Sequence, residues 1–302
     1  MIWREPEEST VEAITFHAYR VAWWFGRRMP EHTGRLLFKW VGLLAHALLP
    51  KARATVAANQ AQVLGRGPDD PLVRACTRAA FQSYARFWYD AFHATELTDE
   101  ETLQRYHLIG EEHFINALEA GHGLIVALPH AGNWDVAGRW LQVRGYPITT
   151  VVEFLRPRRL FELFRDQRQT LGMDVVALGA GGSTAGRLTS ALKRNRLLAL
   201  VADRDLTGNG LDVEMFGRPR KVPLGPAMLS VSTGAPVVIV GIYENGHDWT
   251  QICGPTLVAE RTDDRRADVE ALTRRIAAEF ERVISAEPSN WHMFQPGWDE
   301  GP

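Results

Sequence analysis

The residues best placed for chemistry lie in the stretch 124–138, LIVALPHAGNWDVAG. An apolar run ends at Pro129, His130 follows, and Asp135 comes five positions later with only Ala, Gly, Asn and Trp between them. An imidazole at a strand end, ahead of a helix capped by Asn133, meets the positive end of that helix. The imidazolium is disfavoured there, and the ring stays able to accept a proton. Asp135 falls in the first helical turn, and the small residues Ala131 and Gly132 allow a tight turn that returns its carboxylate to the His Nδ1–H. Base and orienter would then be present without a protein nucleophile. No Gly-x-Ser-x-Gly elbow occurs, and neither Cys76 nor Cys253 is placed like a nucleophile. The activated hydroxyl therefore belongs to a substrate or to water. A strand-end His is also a common structural hydrogen bonder; the Asp at this spacing favours catalysis.

Three further clusters carry chemistry-bearing types. ADRD (202–205) puts Asp203 and Asp205 around Arg204, where either carboxylate could join His130 or form a solvated acidic turn. VEFLRPRRLF (152–161) brings Glu153, Arg156, Arg158 and Arg159 to a strand-to-helix junction, with Arg165 and Arg168 beyond. Guanidinium forks suit phosphate and polyol oxygens, although a solvated basic face would read the same. GAGGST (179–184) lacks the Walker pattern and its Lys, and reads as a flexible loop. No metal site is expected. His130 and Asp135 are not spaced i, i+4, no second His is near, and the two cysteines have no Cys/His partner.

These clusters lie where apolar strands end and helices begin, the place where open α/β sheets gather function. Strands are expected at 123–129, 148–154, 174–178, 196–203, 211–216, 236–243 and 250–257. Helices are expected at 112–121, 133–144, 157–171, 184–194, 225–234 and 265–285. The alternation predicts an α/β fold with a central, mostly parallel sheet flanked by helices. Four helices precede it, at 9–29, 35–49, 52–66 and 71–93. Ser9 or Thr10 caps the first, with Glu12 set for a capping box.

The chain has 302 residues and no linker-like composition, so we expect one domain over 1–302. Within it, 1–50 forms an amphipathic helical hairpin, 112–260 the α/β core, and 261–302 a C-terminal helix and tail. Net charge is −2, which gives no reason to expect nucleic acid as a partner. Locally, His17 to Arg53 holds seven basic residues against Glu31 alone. The start of the chain is acidic where a signal peptide would be basic, and the apolar window 36–49 is too short to cross a bilayer. The hairpin is either a packed helical layer or an interfacial pair, with aromatics at the lipid boundary and Arg at anionic headgroups.

HAGNWD, FLRPRRLFELF, LVADRDLTGNGLDVEMFGRPRKVPLGPAMLSVSTGAPVV and the closing NWHMFQPGW, in that order, resemble the late acyltransferase family. That family includes lipid A acyltransferases and the phosphatidylinositol mannoside acyltransferases of mycobacteria, and the mycobacterial branch is the nearer likeness. The resemblance implies a peripheral enzyme on the cytoplasmic face of the inner membrane, held there by its N-terminal helices. It would move a fatty acyl group, expected to be palmitoyl, from acyl-CoA (or acyl carrier protein) to a mannose hydroxyl of a glycolipid acceptor. The co-substrate is the only small molecule required, with no cofactor. On that likeness His130 is the general base, Asp135 belongs to its motif, and Asp203 completes the relay where relatives carry Glu. Glu153, Arg156, Arg168 and Arg204 would bind the substrate. Another glycolipid acceptor, a lipid esterase or thioesterase, and a non-catalytic lipid scaffold are the alternatives.

Overall fold

The computed structural model describes residues 8–153, 156–178, 184–206 and 208–298. Helix α1 (Thr10–Arg28) opens on the expected capping box: Ser9 Oγ accepts from the Glu12 amide, and Glu12 accepts from the Ser9 amide at 2.8 Å. Helix α2 (Glu31–Leu48) starts earlier than the sequence suggests, because Gly34 does not break it. Gly34 and Gly42 are instead contact points. A Cβ on Gly42 would fall 2.6 Å from the Phe81 carbonyl oxygen in α4 (Pro71–His93), so the two helices approach backbone to backbone. Phe16, Tyr19, Trp23 and Phe38 of the hairpin pack on Trp88, Phe92, Leu160 and Phe164. Its other face leaves Ile14, Trp24, Leu37, Trp40 and Leu44 exposed. Helix α3 (Pro50–Leu64) joins the hairpin to α4.

Two elements between α4 and the core strands were not expected. Helix α5 (Asp99–Arg105) is announced by a capping box, Thr98 with Glu101, and β1 (Tyr106–Ile109) is a four-residue edge strand. The remaining strands of the seven-stranded sheet are β2 (Leu124–Leu128), β3 (Ile148–Glu153), β4 (Asp174–Leu178), β5 (Leu197–Val201), β8 (Val237–Asn245) and β9 (Asp248–Leu257). Their order is β1-β9-β8-β2-β5-β3-β4. All neighbours run parallel except β8 and β9.

Side chains alternate across β2, and each face has its own helical cover. Ile125 and Ala127 pack toward α9 (Thr184–Lys193), α10 (Gly225–Thr233) and α11 (Arg265–Ala286). Leu124, Val126 and Leu128 pack toward α6 (Glu111–Glu119) and α7 (Trp134–Val143). With both faces covered, β2 reads as a continuous apolar run. Helix α8 (Arg158–Thr170) packs against β4 and the hairpin.

Strand β6 (Leu211–Met215) pairs with an unexpected β7 (Arg218–Val222) in a separate antiparallel hairpin. Pro219 has no N–H to give a ladder, which hides this strand from a reading by pattern. The two-residue turn Phe216–Gly217, with φ of 53° and 75°, has the positive dihedrals of a tight hairpin turn.

Candidate active site

Residues Leu128 of β2 and Val201 of β5 are register partners, and His130 and Asp203 each stand two residues beyond them. The ladder continues past the strands, with the Ala202 amide donating to the Leu128 carbonyl at 2.9 Å. The register thus delivers His130 Nδ1 to Asp203 Oδ1 in a short hydrogen bond. The Asp203 side chain is wholly buried, while His130 is about one quarter exposed.

Asp203 is held from three sides. Its Oδ2 accepts from Trp291 Nε1 at 2.7 Å, and its backbone carbonyl accepts from Arg220 Nη2 at 2.6 Å. The Arg220 guanidinium lies between the rings of Trp291 and Trp298, 5.1 and 5.3 Å from their centroids. Burial by itself would raise the carboxyl's pKa. The charges of His130 and Arg220 and the Trp291 N–H outweigh it and hold Asp203 well below the usual carboxylate range. An ionised carboxylate only accepts, so Nδ1 of His130 carries an N–H, and in the neutral ring Nε2 is the nitrogen left bare.

The expected contact from Asp135 to His130 is not made. Asn133 caps α7, its Oδ1 accepting from the Asp135 and Val136 amides, which fixes Asp135 in the first turn. Its carboxylate accepts from Arg168 Nε of α8 at 2.7 Å. The orienting position is taken by Asp203, and Asp135 anchors an arginine. Asp205 accepts from the Gly210 amide at 2.7 Å.

His130 stands where two cavities meet. The larger, of about 560 Å³, is walled by Val151, Val152, Leu188, Leu200, Leu224, Met228 and Leu229. The smaller, of about 170 Å³, is aromatic, with Tyr84, Phe87, Trp88, Phe164 and Phe294. His130, Trp134, Arg168 and Arg204 line both. Trp134 therefore stands on the cavity wall, against Phe87. Glu153 lines the larger cavity and pairs with Arg204 Nη2 at 3.1 Å, and Arg204 Nε is buried without a hydrogen-bond partner. Arg156 lines neither cavity; it is 57% exposed and paired with Glu12. Arg158, Arg159 and Arg165 pair with Glu162, Glu8 and Asp166 at the surface. The turn 179–183 lies outside the described residues.

The C-terminal segment supplies what the motifs did not assign. Ala131 and Trp291 form an isolated antiparallel bridge, and the His292 amide donates to the His130 carbonyl at 2.7 Å. Ser83 Oγ donates to Asn290 Oδ1 at 2.9 Å, so it must accept from His292 Nε2–H at 3.0 Å. Burial and the neighbouring His130 push His292 down to about 3. The block NWHMFQPGW signalled this segment without giving it a role. Arg220 lies in the quoted block 200–238 but drew no role there, since β7 itself was unexpected.

Neither cysteine lines these cavities, and burial pushes both thiols up to about 11. Among the described residues no group of three or more His, Cys, Asp or Glu could hold a metal ion. What the site offers is a bare imidazole nitrogen between an apolar cavity and an aromatic pocket with two guanidinium groups. That arrangement suits deprotonation of a polar hydroxyl beside a long apolar group.

Comparison with known proteins sets the chain among acyltransferases. The family model for bacterial lipid A biosynthesis acyltransferases matches residues 4–300. The chain is 36% identical over 303 residues to a phosphatidylinositol mannoside acyltransferase of Mycobacterium tuberculosis, covering 98% of this chain and 92% of that protein. It is 36% identical over 287 residues to the protein of that name from Mycolicibacterium smegmatis, covering 94% and 91%.

Proposed function

The chain belongs to the bacterial lipid A biosynthesis acyltransferase family, and on that premise we propose that it transfers a palmitoyl group from acyl-CoA to a mannose hydroxyl of phosphatidylinositol mannoside. The observation that carries this reading is the bare Nε2 of His130, its tautomer set by the buried Asp203, at the junction of the two cavities. His130 Nε2 takes the acceptor hydroxyl's proton as the oxygen attacks the thioester carbonyl. The C–S bond breaks, and the imidazolium returns the proton to the leaving thiolate, yielding an ester and free CoA. Asp203 stabilises the imidazolium while it lasts. The thioester is already activated, and a positioned base typically supplies ~10²–10⁴-fold.

The apolar cavity takes the acyl chain. Glu153, Arg168 and Arg204 bind the acceptor's hydroxyls and phosphate, and Asp135 keeps Arg168 in place. Arg156 has a part only at the rim, since it stands outside both cavities.

The exposed apolar face of α1 and α2, with Arg20, Arg27 and Arg28 beside it, rests on the cytoplasmic face of the inner membrane, where donor and lipid acceptor meet. No helix among the described residues is long and apolar enough to cross a membrane.

The test is release of free CoA from palmitoyl-CoA, with and without phosphatidylinositol mannoside, by wild type and His130→Ala. Acceptor-stimulated release that disappears in the variant supports the reading. Release indifferent to acceptor points to hydrolysis or another acceptor, and undiminished acceptor-dependent release in the variant overturns His130 as base.

A further inference from the structure

Away from the catalytic cleft, one region collects buried charge that acyl transfer does not use. Helices α2 and α4 and the turn between β8 and β9 enclose a cavity of about 410 Å³, bordered by Arg35, Lys39, Arg86, Glu244 and two histidines, His32 and His247. Arg35 is occupied: it holds the turn through the Gly246 carbonyl at 3.0 Å and pairs with Glu31 and Asp90. Arg86 is only half used. Its Nε lies 3.2 Å from Asp90 and 3.1 Å from Glu244 Oε2, whereas Arg86 Nη2 and Glu244 Oε1 are buried with no hydrogen-bond partner.

Buried polar atoms are seldom left so, and here both belong to side chains that border the recess. Burial pushes the Glu244 carboxyl up from its ordinary range, against the pull of Arg86 beside it. The Arg86 guanidinium, with a donor left over, and the Lys39 ammonium beside it both ask for anionic acceptor oxygens. A second groove, of about 330 Å³, adjoins the first. It shares Leu36, Lys39 and Gln82 with it and adds Trp40, Leu43 and Arg78. Leu36 and Trp40 are exposed on the outer face of the hairpin. A cationic recess therefore opens directly beside an apolar track.

We propose that this composite groove binds an anionic glycerophospholipid that is not consumed, its phosphate at Arg86 and Lys39 and an acyl chain along Leu36, Trp40 and Leu43. The site is separate from both catalytic cavities. It touches the catalytic side through Ser83, which lines the recess and bonds Asn290 and His292.

The experiment is calorimetric titration of the full chain with dihexanoylphosphatidylglycerol below its micellar concentration. Dihexanoylphosphatidylcholine and inorganic phosphate serve as comparisons. Wild type should bind the anionic lipid at least about tenfold more tightly than either comparison, since each cationic side chain near an anionic lipid favours it severalfold. Lys39→Glu, at an exposed position, should weaken that binding by about tenfold or more, and Gln82→Glu should do the same independently. Arg86→Gln removes the unpartnered donor but disturbs Asp90 and Glu244, so the two wall variants carry the test. Unchanged binding in both wall variants, or no binding by wild type, overturns the site. Inorganic phosphate binding as tightly as the lipid overturns the lipid assignment. Binding is read directly, so the result stands whether or not the chain proves to transfer acyl groups.

Discussion

Arg220 bonds the backbone carbonyl of Asp203, not its carboxylate, so a buried cation stabilises the acid without occupying either of its oxygens. Both oxygens remain for His130 and Trp291. Replacing Arg220 with Met removes the cation and lets the His130–Asp203 pair hold its proton more tightly. The acidic limb of the kcat/KM profile should move to higher pH, with kcat/KM down by about tenfold near neutrality, or about 1.4 kcal/mol. A merely structural Arg220 would lower the melting temperature and leave the limb where it is.

Asp203→Asn tests the orienting role more severely. An amide can offer its NH₂ to Nδ1 and favour the other tautomer, which puts the proton on the nitrogen meant to accept one. Loss of kcat should be about 10³–10⁴-fold, comparable to His130→Ala, while binding of palmitoyl-CoA is retained. Stopped-flow acyl transfer with the acceptor present measures it.

His292 makes stability depend on pH in a defined direction. An unfolded His takes up a proton near 6.5, whereas the buried ring does so only at about 3. Between those values the unfolded state holds more protons, so stability falls as pH drops, by up to about 1.4 kcal/mol per pH unit. Asp203, whose folded pKa is depressed, adds loss in the same direction below about pH 4. Urea midpoints at pH 7 and pH 5 should differ more for wild type than for His292→Gln, whose amide can still donate to Ser83.

Met228 lines both the apolar cavity and the neighbouring groove at Arg265, and it is half exposed. Met228→Trp should fill cavity volume without disturbing the core. Excluding two methylenes at about 0.8 kcal/mol each raises KM for palmitoyl-CoA about tenfold. KM for octanoyl-CoA should change little.

Replacing Trp24, Trp40 and Leu44 together with Ser removes three large apolar side chains from the exposed face of the hairpin and none from its packed face. Each is worth about tenfold in partitioning onto a bilayer. Cosedimentation with phosphatidylglycerol-containing vesicles should fall by orders of magnitude, with the circular dichroism spectrum unchanged.

Much of this was legible in the sequence because apolar periodicity and caps are local. The sheet strands from β2 onward were read to within a few residues, and Ser9–Glu12 capped α1 as written. Gly34 misled, since a helix breaker and a close-approach glycine are the same residue until a partner helix is known. Asp135 misled for a related reason. Its spacing from His130 was right for a contact, but the Asn133 cap turns it toward α8, and the true partner comes from a strand 73 residues away. The roles of Arg220 and Trp291 depend on β7 and the C-terminal bridge, both long-range pairings that no local pattern encodes.

The two cavities share His130, Trp134, Arg168 and Arg204 as a common wall. If transfer joins the contents of one to the contents of the other, the acylated lipid occupies both at once. It then excludes donor and acceptor alike, and should inhibit competitively against each. If the chain works at a bilayer as proposed, release of that two-footed product into the lipid sets turnover, and the surrounding membrane is then the product sink.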